Sequence, residues 1–448
     1  MGVLQAGVDF FCCLDNYSRY HFYDRKGTRN MADAQSGLDF PKRHRLGTFL
    51  AVLGPGLVVM LADTDVGSVI TAAQSGAQWG YRLLLLQLIL MPILYVVQEL
   101  TVRLGIFTGK GHGELISETF GKHWAYVSVT GLSIASAGAL LTEFSGLAGV
   151  SELFGLPRAL GVVLGASALW LIVITGSYRR VERIALIFGT FEVVFFGIAW
   201  AARPDMGSLL HGLTQVELGN HNYMMLVAAN IGAVIMPWMI FYQQSAVADK
   251  GLRPADYPHA RWDTAIGSVI TQLIMAAVLI ATAATIGLSN PNAPLNTVQQ
   301  LSEAITPFLG TVWGHIVFSL GIIGAGMIAA IVATLAAAWG WGEVTGFKHS
   351  LEYHPKDAPW FYGVYTLVLL AGAVAVIFIP NLVSLDIAVE VMNALLLPLV
   401  LGFLIALAVK ALPDEHRLRG WYFWVVLALG GVSAGLGVYG GITSIPGL

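Results

Sequence analysis

Apolar stretches alternate with short polar ones from about residue 48 to the end of the chain. A helix needs about 20 consecutive apolar residues to cross a bilayer. On that measure the pattern predicts eleven spans, at 48–72, 80–104, 125–151, 157–176, 183–203, 223–248, 262–288, 309–340, 360–380, 384–411 and 420–444. The gaps between them are short. A single transmembrane domain over 47–445 is therefore expected, preceded by a polar and aromatic arm over 1–46.

Two spans break the pattern. The first reads Gly54-Pro-Gly-Leu-Val-Val-Met-Leu-Ala-Asp63-Thr64-Asp65-Val66-Gly67-Ser68, with two carboxylates inside an apolar run. A charge at bilayer depth costs at least about 2.5–3.5 kcal/mol, so Asp63 and Asp65 point to a cation site. The sixth reads Ala229-Asn230-Ile231-Gly232-Ala233-Val234-Ile235-Met236-Pro237-Trp238. Pro237 has no amide hydrogen and clashes with the preceding turn, so the helix breaks or kinks there. Interrupted spans five helices apart predict inverted repeats around a midplane site. The expected fold is all-α: repeats over about 47–205 and 220–411, broken first and sixth helices, and an extra helix over 420–444.

Composition agrees with this picture. The 448 residues are 56% apolar and 11% charged, far below the charge of a soluble domain. No basic stripe interleaved with aromatics suggests nucleic-acid binding. Cys12 and Cys13 are adjacent, which argues against a disulfide framework or a zinc site. The arm lacks a long apolar core, so no cleavable signal is expected. Of the 24 basic residues, the side opposite the arm holds only Arg82, Arg158 and Arg203. The positive-inside rule then places the N-terminus in the cytoplasm and, after eleven spans, the C-terminus outside.

Other residues have structural expectations. Glu99 and Arg103, four apart, predict a helix ion pair. Glu182 lies near Arg179 and Arg183 and predicts a cytoplasmic charge cluster. His315 is expected at an interface. Gly321, Gly324 and Gly326 predict close helix approach, and Trp339 and Trp341 an aromatic belt.

Several short segments in order resemble the Nramp family of divalent-metal transporters. They include Gln74-Ser-Gly-Ala-Gln-Trp-Gly-Tyr81, Arg103-Leu-Gly-Ile-Phe-Thr-Gly-Lys110, Tyr178-Arg-Arg-Val-Glu182, Ala202-Arg-Pro-Asp205 and Ile231-Gly-Ala-Val-Ile-Met-Pro237. The resemblance implies the fold of sodium-coupled amino-acid symporters. The family's first-helix motif, Asp-Pro-Gly-Asn, is here Asp65-Val66-Gly67-Ser68. Its sixth-helix motif, Ala-x-x-Met-Pro-His, keeps Ala233, Met236 and Pro237 but ends in Trp238. A third-helix pair of acids becomes Glu143 and Gly146, and a tenth-helix glutamine aligns with Glu390. The ninth-helix arginine pair is absent from 360–380. These changes most resemble the Nramp-related magnesium transporters.

The buried acids and the resemblance together imply a metal site of Asp63, Asp65, Ser68, Ala233, Met236 and Glu390, with Glu143, Trp238 and Thr130 along the pathway; Asp63 stands outside the family motif. Glu143 could titrate or pair with a hydroxyl such as Thr142. Magnesium prefers oxygen ligands and keeps part of its water, whereas the Met236 thioether suits softer ions. The leading expectation is uptake of partly hydrated Mg2+, with Mn2+ also carried, without proton coupling. The alternatives are a proton-coupled Mn2+ or Fe2+ importer and a sodium-coupled organic-solute symporter. No nucleophile–base pair or phosphate loop suggests an enzyme. No cofactor is expected: the metal is cargo. Membrane lipid surrounds a chain expected to function as a monomer in the cell membrane.

Overall fold

The chain breaks its first and sixth spans where polar or proline residues cap a new helix. In the computed structural model, which describes residues 54–175, 177–287 and 295–443, α1 (Pro55–Asp63) stops at its first carboxylate and α2 (Val66–Trp79) begins after Asp65. A 3₁₀ turn at Gly80–Leu83 leads into α3 (Leu84–Thr108), followed by the short α4 (His112–Phe120). The first half continues with α5 (Lys122–Leu153), α6 (Arg158–Ile174), α7 (Tyr178–Gly189), a 3₁₀ turn at Thr190–Val193 and α8 (Val194–Ala201). The short α9 (Met206–Gly212) links it to the second half.

There α10 (His221–Gly232) and α11 (Pro237–Asp249) are the two parts of the sixth span, and α12 (Tyr257–Thr282) is the seventh. After α13 (Val298–Ile305) come α14 (Gly310–Thr345), α15 (Pro359–Ile377), α16 (Leu382–Lys410) and α17 (Gly420–Thr443). The arm expected over 1–46, with Cys12 and Cys13, lies outside the described residues.

Nine helical stretches among the described residues are long and apolar enough to cross a membrane, and α6 is a shorter apolar helix. One of the nine joins α2 to α3, so all eleven expected segments meet helices. The fold is two inverted five-helix repeats, α1–α8 and α10–α16, with α17 added.

Glycines bring the helices together at the centre. Gly321 packs on Phe195 and Gly324 on the Phe188 carbonyl, as the small-residue pattern predicts. Gly232 ends α10 so close to α16 that a β-carbon there would lie 1.8 Å from the Glu390 carbonyl. Both Glu99 oxygens accept from Arg103 Nη2, at 2.9 and 2.8 Å, giving the expected pair. Tyr422 also donates to Glu99, tying α17 to α3. Glu182 pairs with Lys250 at 2.9 Å, and His315 sits edge-on to Phe154.

Trp339 departs from the expected belt. It is fully buried among Tyr178, Tyr242 and Phe361. Its place on α14 turns it to the bundle interior, and composition does not separate a core indole from an interfacial one. Trp341, two residues on, is half-buried and donates to Ser133 at 2.9 Å.

Gly232→Ala should lower stability by about 1–3 kcal/mol, because the contact it disturbs is backbone that cannot rotate away. Gly402→Ala, where nothing lies within 4 Å, should be neutral or slightly stabilising. Thermal melts of the two purified variants against the parent check the contrast.

Candidate metal site

The two helix breaks face each other. Asp65 caps α2, its Oδ1 accepting from the Ser68 amide at 2.7 Å. Acidic caps of this kind complete the orphan amides of a helix start. Residues 233–236 run non-helically between α10 and α11, and Pro237 occupies the first position of α11, where its missing amide costs nothing. The Ser68 hydroxyl donates to the Ala233 carbonyl at 2.8 Å and joins the breaks.

Unpartnered oxygen gathers beside this bond. Asp65 Oδ2 has no hydrogen-bond partner. Glu390 reaches the same turn: a β-carbon on Gly67 would lie 2.1 Å from its Oε1, which is also unpartnered. Its Oε2 accepts from Asn393 at 3.0 Å. Met236 lies in the same non-helical segment as Ala233, fully buried. Asp65, Ser68, Ala233, Met236 and Glu390 thus collect around the two breaks.

The remaining expected ligand turns elsewhere. Asp63 closes α1, and its Oδ2 accepts long hydrogen bonds from Thr271 at 3.5 Å and Gln272 at 3.4 Å on α12. Among the described residues no three His, Cys, Asp or Glu side chains form a ready-made metal cluster. An ion between the breaks would therefore draw on mixed donors: two carboxylates, a carbonyl, a hydroxyl and a thioether.

Two departures from the family pattern are coupled physically. The Val66 amide donates to Glu143 Oε2 at 3.2 Å, a bond that proline at this position could not make. The Val66 side chain occupies the space that Gly146 leaves open: a β-carbon on Gly146 would lie 2.5 Å from Val66 Cγ2. Glu143 Oε1 accepts from Thr142 at 3.2 Å, the hydroxyl partner foreseen for it. Trp238 is buried in the first turn of α11 with its indole nitrogen unpartnered.

Thr130 is a correction. It is exposed on α5 and donates to its own helix at the Tyr126 carbonyl, 2.8 Å away. Its place on the helix points it out of the bundle, so it lines no internal path.

The family motifs pass over two buried acids. Ser145 donates to both oxygens of Asp386 at 2.7 Å, one turn before Glu390. Glu192 sits in the 3₁₀ turn before α8, fully buried. Each is a carboxylate inside an apolar span, which is itself a functional signal. Asp65 interacts electrostatically with Asp63, Glu143, Glu192, Asp386 and Glu390. Among the described residues, none of these six acids makes an ion pair with a Lys, Arg or His.

Because Val66 and Gly146 share one space, Gly146→Ala alone should destabilise the fold, and Val66→Ala should largely relieve that loss. A double-mutant cycle on thermal stability should return a coupling of about 0.5–3 kcal/mol, as contacting residues do. Additive effects would show that the two side chains do not compete.

Comparisons with known proteins agree with the geometry. The chain is 28% identical over 310 residues to a divalent metal cation transporter MntH from Erwinia tasmaniensis, covering 67% of this chain and 73% of that one. Its fold matches a manganese transporter from Eremococcus coleocola with a TM-score of 0.67 at 18% identity, over 93% of this chain and 90% of the other. A sodium-coupled sialic acid symporter shares the fold more distantly, with a TM-score of 0.56 at 14% identity, over 87% and 88% of the two chains. Residues 56–443 match the family described as Natural resistance-associated macrophage protein-like, and with helix breaks, repeats and match all spanning the same region, the chain belongs to the Nramp family.

Proposed function

We propose that this chain is a divalent-metal transporter that imports ions of the manganese class, held between the two helix breaks by Asp65, Ala233, Met236 and Glu390, with Ser68 beside them. One observation carries the reading: the Ser68–Ala233 bond joins the breaks, and the free oxygens of Asp65 and Glu390 lie beside it. Met236 offers a thioether, which favours manganese over magnesium. The names of the relative from Erwinia tasmaniensis and the structure from Eremococcus coleocola support the same class. The proposed site lies within one chain, which supports a functional monomer. The distribution of basic residues supports a cytoplasmic N-terminus and an external C-terminus. A doubly charged ion then gains about 4.6 kcal/mol per 100 mV on entering a negative interior.

Charge balance bears on coupling. Six buried carboxylates without a paired base need cations, whether metal or protons. A metal that takes carboxylates holding protons must release them. The proposed cycle therefore passes the protons displaced from Asp65 by way of Glu143 to the inside, and the emptied carboxylates reload from the outside, unlike the uncoupled transport expected from Trp238 and Gly146. The second reading is uncoupled magnesium entry. It is favoured by the oxygen-rich acids Asp386 and Glu390 and by a tryptophan where the family places histidine.

Proteoliposomes loaded with a pH-sensitive dye separate the readings. An inward Mn2+ gradient should acidify the interior. Asp65→Ala should cut Mn2+ entry at least tenfold while the protein elutes as a folded species. Glu143→Gln should abolish the acidification. Mn2+ entry without acidification, matched by faster Mg2+ entry, would favour the magnesium reading instead.

Met236→Ala should lower Mn2+ uptake relative to Mg2+ and weaken cadmium binding, because sulfur serves the softer ions. Competition between the ions in the same vesicles measures the shift. Unchanged selectivity would make Met236 a packing residue.

A further inference from the structure

A second group of oxygens lies on the α1 side of the first break, where Asp63 bonds towards α12. Asp63 ends α1 and Thr64 follows it. Glu192 comes from the 3₁₀ turn at Thr190–Val193, and Thr271 and Gln272 are adjacent on α12. None of the five residues is more than 1% exposed. The Thr64 and Thr271 hydroxyls lie 2.5 Å apart, and Thr271 also faces Asp63 Oδ2 at 3.5 Å. Either hydroxyl can donate to the other. Glu192 lies beside the Thr64 hydroxyl and Asp63, and neither of its oxygens has a hydrogen bond of good geometry. Asp63 Oδ1 and Gln272 Oε1 are unpartnered as well.

Four buried oxygens without partners are costly in an apolar interior. Two belong to the Glu192 carboxylate, whose neighbouring donor is the Thr64 hydroxyl, and one to the neutral amide of Gln272. The group offers oxygen ligands of three kinds, carboxylate, hydroxyl and amide, with two acids and no sulfur. Hard divalent cations take such ligands, with carboxylates supplying the charge and hydroxyls or amides completing the shell. Asp63 leaves the first site's ligand set because its bonds lead to α12, and three elements converge on it there.

The geometry points to a second cation site, built by Asp63, Thr64, Glu192, Thr271 and Gln272, that takes a hard divalent ion. It stands one residue of backbone beyond Asp65, on the α1 side of the break. Its existence does not rest on the proposed ligands of the first site.

The test counts ions on the full-length protein in detergent. Manganese chloride is titrated in, and the free aquo ion is followed by electron paramagnetic resonance. The parent should bind two Mn2+ per chain. Glu192→Gln should keep one and weaken the other at least tenfold, and Asp65→Ala should weaken the complementary one. Thr271→Val, which removes a hydroxyl and adds no charge, serves if Glu192→Gln does not elute as a folded species. One ion per parent chain, or two unweakened ions on a folded Glu192→Gln protein, would overturn the second site. Loss of both ions in Glu192→Gln would overturn it too, by merging the two groups into one site. An Asp65→Ala protein that keeps both ions would sink the first site alone.

Discussion

An apolar interior does not hold bare amides, and a helix broken at mid-membrane exposes several. Each break here satisfies much of its own backbone. At the first, the Thr64 amide bonds the Leu61 carbonyl at 3.1 Å, Val66 bonds Glu143, Ser68 bonds Asp65, and Val69 returns to the Asp65 carbonyl at 3.0 Å. At the second, Ala233 bonds Ala229 at 2.8 Å, Ile235 bonds Ile231 at 3.1 Å, and Pro237 has no amide to place. Irregular backbone at this depth is tolerated only where it is buried or lines a cavity. Beside these bonded amides lie oxygens, the Ala233 carbonyl and the acids. The ion-facing character of the centre follows from that accounting.

The polar contacts beyond the breaks hold them at a fixed distance. Gln87 donates to Asn230 at 2.5 Å, and Asn230 donates to Ser75 at 2.8 Å. This links α3, α10 and α2 just beyond the unwound segments. Glu143 draws α5 to the start of α2, and Ser145 draws it to Asp386 on α16. The acids therefore act twice, as candidate cation ligands and as the acceptors that set helix positions.

Much of this was legible in the sequence, for physical reasons. Pro237 and the Asp63–Asp65 pair mark the breaks because each forbids or penalises an uninterrupted apolar helix. Glu390 was reachable by its offset from Pro398, which α16 absorbs without ending. The direction of Asp63 was not legible, because it depends on which face of α12 carries Thr271 and Gln272. Trp339 and Thr130 failed for a related reason. An aromatic or hydroxyl residue is compatible with core, lipid face or interface, and only packing decides. Asp386 and Glu192 were legible as charges inside apolar windows, but no motif draws attention to them.

The contact at Gly232 has a mechanical meaning. With no side chain between the end of α10 and the Glu390 carbonyl, the two backbones bear directly on each other and work as a hinge pin. That direct contact fixes the spacing between the Glu390 backbone and the start of the Ala233 segment. Asp65 joins that pair through side chains instead, by the Ser68 hydroxyl bond and the Gln87–Asn230–Ser75 chain. The two sides of the proposed ion seat are thus braced differently, one by backbone resting on backbone and the other by hydrogen-bonded side chains.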